Sequence, residues 1–162
     1  TVRLADARAA VEGEPDAAYD LVLADVYQAA RMPPHVAGME FARQAARVLR
    51  PDGWYAVNVV DLPPLNLSRV QAATLRAVFD EVCLIASRAM LGGRRYGNVV
   101  LAAARRPGGL PIRALATRAA RDPAPGLVLC GAALESFAEG ARPLTDAGEP
   151  PSRARFSEAP AG

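Results

Sequence analysis

The stretch YDLVLADVY, residues 19–27, decides how this chain is read. Leu21, Val22, Leu23 and Ala24 form an unbroken apolar run closed by Asp25. A strand with one wet face would alternate, so this run predicts a strand covered on both faces, inside a layered sheet. Upstream, TVRL at residues 1–4 reads as a strand, and residues 5–13 read as a short helix capped by Asp6 and closed by Gly13. Downstream, a helix is expected over residues 36–49, with Met39, Ala42, Ala46 and Leu49 on one face, RPDG at residues 50–53 reads as the turn that ends it, and WYAVNVV at residues 54–60 reads as a second buried strand. A helix over residues 65–78 then precedes two strands, EVCLIASR at 81–88 and GNVVLAAA at 97–104, with the glycine-arginine stretch LGGRR between them. Strands alternating with helices and closing on a strand pair predict an α/β fold: a Rossmann-like, mostly parallel sheet with helices on both faces and a C-terminal antiparallel strand pair.

Past Arg105 the periodicity weakens. Residues 110–122 and 131–141 read as two small amphipathic helices, and the Pro/Gly-rich stretch from residue 144 has no periodicity. The expected division is residues 1–105 as the α/β domain, 106–143 as a small helical extension, and 144–162 as a flexible tail.

Composition narrows the function classes. The chain has 162 residues, 51% hydrophobic, with no apolar run near the roughly 18 residues of a membrane span, so a soluble domain without a membrane partner is expected. Nineteen basic residues stand against 17 acidic ones, and they are scattered, so nucleic acid is not an implied partner. All the basic residues are arginine, which removes lysine Schiff-base chemistry and a lysine-bearing phosphate loop. Cys83 and Cys130 are far apart and have no metal-ligand spacing; they read as thiols in a reducing, cytoplasmic chain. No serine triad or metal cluster is expected. Thr1 opens within a strand-like stretch, which reads as a fragment.

In open parallel sheets ligands sit at the carboxyl ends of the strands, and Asp6, Asp25 and Asp61 each follow a strand-like run. His35, after two prolines, would lie above the Asp25 end, and Asn58 sits inside a strand that leads to Asp61. Trp54 and Tyr55 read as packing, and Arg94 and Arg95 as solvated arginines in a turn.

The order TVRLADAR, YDLVLADVY, FARQAARVLRPDGWYAVNVVD and GNVVLAAA resembles the C-terminal half of a class I methyltransferase-type fold. Within that fold it resembles most the spermidine synthases, the polyamine aminopropyltransferases. The resemblance covers roughly residues 1–105 and implies S-adenosylmethionine or its decarboxylated form as substrate, a small-molecule amine or other acceptor, and no metal. It assigns Asp6 and Ala7 to the adenine side of the adenosyl group. Asp25 falls to both the adenosyl and the amine sides, as general base, with Tyr27 beside it. A carboxylate in that place attracts an alkylammonium and takes its proton before the nitrogen attacks.

Two departures matter. VYQAARMPPH replaces the family's Ser-Ser-Asp-Pro segment after Asp25, and the glycine-rich loop and first two strands of the family do not occur in these residues. Methyl transfer from S-adenosylmethionine is one alternative, and a non-catalytic remnant kept for packing or interaction is another. A sheet starting at its third strand would also leave an unpaired edge, through which a homodimer or other association could form.

Overall fold

The computed structural model describes residues 2–27 and 32–148. Its elements in chain order are α1 (Ala7–Glu12), β1 (Tyr19–Ala24), α2 (Pro34–Ala37), α3 (Met39–Val48), β2 (Leu49–Asp61), α4 (Asn66–Arg76), β3 (Glu81–Ser87), α5 (Arg88–Leu91), β4 (Gly97–Ala104), α6 (Ile112–Arg121), β5 (Gly126–Cys130) and α7 (Gly131–Phe137). The five strands form one sheet in the order β1-β2-β4-β3-β5. This is a mixed α/β sheet of the Rossmann-like, methyltransferase type.

β2 organises it. Tyr55, Val57 and Val59 point to one face and are almost fully buried. There they meet Phe41, Ala42 and Ala45 of α3 and Ala72 and Leu75 of α4, along with Leu134 of α7. The opposite face carries a smaller cluster, in which Ile112 and Leu115 of α6 cover Trp54, Cys83, Ala102 and Ala104. Trp54 Nε1 donates to Gly109 O at 2.9 Å, which anchors the approach to α6. Helices therefore lie on both faces, as the apolar runs require.

The share of parallel pairing is smaller than the sequence suggests. Only β1–β2 is parallel; β2–β4, β3–β4 and β3–β5 are antiparallel. The cause is the short connection through α5, which returns β4 between β2 and β3. RPDG does not end an element either. Between the pairs Tyr19–Leu49 and Leu21–Trp54, β1 advances two residues and β2 five, so the turn-forming residues are an outward bulge within β2.

Other expectations change for stated reasons. TVRL forms no strand over the described residues 2–4, where Val2 and Leu4 are fully exposed and no neighbouring strand offers a ladder. β1 is not covered on both faces, since Leu21 and Leu23 are 51% and 67% exposed, and among the described residues β2 is the one strand paired with it. The helix expected from residue 36 breaks at Gly38, whose extended backbone separates α2 from α3. GLVLC, too short for its period to show, pairs with β3 as a fifth strand, so residues 106–143 belong partly to the sheet. Residues 144–148 are docked: Leu144 is buried, its N–H donates to Thr74 Oγ1 at 2.9 Å, and its carbonyl accepts from Met39 N at 2.8 Å. Residues 149–162 of the expected tail lie outside the described residues.

One buried carboxylate joins β2 to α4. Asp61 is 4% exposed; its Oδ1 accepts from Leu62 N at 2.8 Å, and its Oδ2 accepts from Ser68 N and Ser68 Oγ, both at 2.8 Å. Both of its oxygens are engaged, one by the turn that leaves β2 and the other by the backbone and hydroxyl of Ser68 in the first turn of α4. Asp61→Ala strands those buried donors and is expected to cost about 2 kcal/mol in urea unfolding; an unchanged midpoint would remove this role.

Candidate functional site at the carboxyl edge of the parallel pair

β1 and β2 run parallel, so their carboxyl ends open on one edge of the sheet. The ladder ends with Ala24 opposite Val57, and the next residues, Asp25 and Asn58, turn their side chains to each other. Asn58 Nδ2 donates to Asp25 Oδ1 at 3.0 Å, and the carboxylate itself is exposed. That contact also decides the amide's orientation, because the reverse would set carbonyl oxygen against carboxylate. Asn58 Oδ1 is then buried and accepts no hydrogen bond among the described residues.

Tyr27 holds this corner in place. Its hydroxyl donates to Asn58 O at 2.8 Å and accepts from Val60 N at 2.7 Å. A parallel neighbour takes a carbonyl and the N–H two residues on, so the Tyr27 hydroxyl stands where a continued β1 backbone would have paired. The structure brings Asp25, Tyr27 and Asn58 together. Only the first two stand out as site residues in the sequence, because an asparagine inside a strand carries no signal of which face it occupies.

Asp6 and Ala7 lie apart from that corner. Asp6 is the N-cap of α1, with Oδ1 accepting from Arg8 N at 3.0 Å and Ala9 N at 3.1 Å. His35 Nε2 lies 2.9 Å from Asp6 Oδ2, so both carboxylate oxygens are engaged. The Ala9 N–H foremost, then the His35 side chain, hold this carboxyl below the usual aspartate range. Ala7, the first helical residue, packs on the main core. Beside them Arg8 Nε binds Glu12 at 2.7 Å and Arg8 Nη1 binds Asp146 at 2.5 Å, which ties α1 to the segment after Leu144. No hydrogen bond joins the Asp6–His35 pair to the Asp25–Asn58–Tyr27 group among the described residues, and residues 28–31, between them in sequence, are not described. Asp6 follows no strand; of the two carboxylates at strand ends, Asp61 is the one spent on holding its own turn and the start of α4.

No family model matches the chain, and no curated protein matches it. Among solved structures, a probable spermidine synthase from Corynebacterium glutamicum ATCC 13032 matches with a TM-score of 0.80 and 28% identity, over 94% of this chain and 56% of that one. The chain has a spermidine synthase-like fold. A spermidine synthase from Thermotoga maritima matches with a TM-score of 0.49 and 14% identity, over 66% of this chain and 35% of that one. The chain spans a little over half the length of the Corynebacterium protein. No helix among the described residues is long and apolar enough to cross a membrane, and no group of three or more metal-ligating side chains occurs among them.

The Asp6 pair makes a pH prediction. A carboxyl lowered in the folded state contributes stability that is complete above its unfolded value, about 3.9, and is lost as pH falls through the folded one. The stability gap between wild type and Asp6→Asn should therefore narrow as pH falls from about 6 to about 3. Urea midpoints at the two pH values check this, and a constant gap would show that the cap and His35 do not favour the ionised form.

Proposed function

We propose that this chain carries the acceptor side of an aminopropyltransferase-like site, with Asp25 as general base. The observation that supports it is the exposed Asp25 carboxylate at the carboxyl edge of the parallel pair, in a fold matched over 94% of its length by a probable spermidine synthase. Asp25 Oδ2 accepts no hydrogen bond among the described residues, while Oδ1 is oriented by Asn58. An alkylammonium drawn to that carboxylate gives up a proton to it. The freed nitrogen attacks the propyl carbon beside the sulfonium of decarboxylated S-adenosylmethionine; a C–N bond forms, the C–S bond breaks, and methylthioadenosine leaves. Tyr27 acts by positioning, since its hydroxyl is committed to the backbone of β2.

Asp6 fits the adenosyl group less readily. An adenine amine would have to share Oδ2 with His35 or displace it. We therefore place Asp6 and Ala7 at the rim of the adenosyl site, and infer that a polypeptide pairing with the open edge of β1 completes it. A second copy of the chain is one such partner. A groove of about 250 Å³ along that edge, lined by Val11, Tyr19, Leu21, Val22 and Val48, offers apolar surface beside the free strand.

Two further readings remain distinct in the same measurement. The exposed Leu21 and Leu23 of β1 suit a non-catalytic remnant kept for interaction, and the fold class alone is equally consistent with methyl transfer. Calorimetric titration of the chain with decarboxylated S-adenosylmethionine, S-adenosylmethionine and methylthioadenosine separates them. Preference for the decarboxylated form is the expected result; preference for S-adenosylmethionine assigns methyl transfer, and no binding to any of the three sinks the reading in which copies of this chain complete the site. Where transfer is measurable, Asp25→Asn should lower turnover roughly a hundredfold with an unchanged unfolding midpoint.

A further inference from the structure

Cys83 and Cys130, 47 positions apart in the sequence, are directly opposite each other in the β3–β5 ladder. The kind of pair they form follows from one bond. Arg88 N donates to Pro125 O at 3.2 Å, in the same register, which makes that position a hydrogen-bonded pair. Alternation along an antiparallel ladder then makes Ile85–Val128 and Cys83–Cys130 non-hydrogen-bonded pairs. Such pairs bring Cα atoms to about 4.5 Å with their side chains close, at the short end of the roughly 4.4–6.8 Å that a disulfide spans. Both cysteines belong to the cluster containing Ile85 and Val128, so both side chains lie on the α6 face of the sheet.

The two thiols differ in access. Cys83 is fully buried, and burial pushes its thiol up to about 11. Cys130 is half-buried and lines a cavity of about 480 Å³ with Phe79, Glu81, Val82, Ile112 and Leu134. Both are free thiols. We propose that Cys83 and Cys130 are a reversible oxidation site, at which a small-molecule disulfide of the glutathione class closes a cross-strand bond that staples β5 to β3.

The exchange runs in two displacements. The Cys130 thiolate attacks one sulfur of the small disulfide; a mixed disulfide forms and one small thiolate leaves. Cys83 then releases its proton and its sulfur attacks Cys130 Sγ, so the protein disulfide forms and the second small thiolate leaves. Two protein thiols are oxidised and one small disulfide is reduced to two thiols. The fold does not need the bond to hold β5 in place, since β5 is already paired along β3 with both thiols free, and excess small thiol reverses both displacements. This site is independent of the reading of Asp25.

The test uses the full chain in buffers of oxidised and reduced glutathione, quenched with acid, alkylated and weighed by mass spectrometry. Wild type should lose both alkylatable thiols without gaining glutathione, and excess reduced glutathione should restore them. Cys83→Ser should stop at one glutathione attached to Cys130, and Cys130→Ser should keep its buried thiol unmodified. A wild-type chain that keeps both thiols, holds a mixed disulfide without closing it, or oxidises only into linked dimers would overturn the proposal. The Cys83→Ser adduct shows that the reagent reaches Cys130, so a failure of wild type to close cannot be attributed to access.

Discussion

The fold depends on β2 being long, central and two-faced. From Gly53 to Asp61 its odd-numbered residues are buried in a close-packed layer in which Tyr55 stacks on Phe79 with ring centroids 5.8 Å apart and meets Phe41 edge-on at 6.5 Å. Shifting β2 by one residue against its neighbours would turn Tyr55, Val57 and Val59 out of that layer and bring Trp54, Ala56 and Asn58 into it. One register therefore fixes three things together: the packing of α3 and α4, the parallel pairing with β1, and the place where that pairing stops. The site stands at that stop.

A sheet's chemistry concentrates where its ladder ends, because backbone groups freed there must find other partners. Here the partner is a side chain. By taking up the carbonyl of Asn58 and the N–H of Val60, Tyr27 lets β1 leave the sheet at Asp25 without stranding β2. The carboxylate is left exposed beside an oriented amide. On the other flank, Asp6 is tied to its own helix and to His35, and through Arg8 the same helix is tied to Asp146. The two flanks differ accordingly: one leaves a carboxylate oxygen exposed, and the other is bound into the surrounding structure.

The open side of β1 belongs to the same picture. Leu21 and Leu23 have the residue types of a strand with a layer over them, yet they are exposed, and the similar Corynebacterium structure extends well beyond what this chain spans. Among the described residues β1 pairs with β2 alone, which leaves the backbone groups of its other edge unpaired beside exposed leucines.

Much of this was legible in the residues. Asp6 and Gly13 delimit α1 because a cap and a glycine stop act within a few residues; the apolar runs locate β1, β2, β3 and β4 because strand-forming apolar residues cluster along each strand, buried in the last three and largely exposed in β1. Asp25 stands out for the same local reason, as a charge closing an apolar run. What the residues in order do not carry is who stands opposite whom. That β4 inserts antiparallel beside β2, that GLVLC becomes a strand, and that Leu144 is docked on Thr74 are all matters of long-range pairing. The same holds for Asn58 meeting Asp25, for His35 meeting Asp6, and for two distant cysteines facing each other across a ladder. Local sequence determined the elements and the chemistry available at their ends, through capping, periodicity and turn-forming residues. The tertiary structure alone decided which of those ends and side chains share a space, because register and strand order are settled by the packing of the whole core.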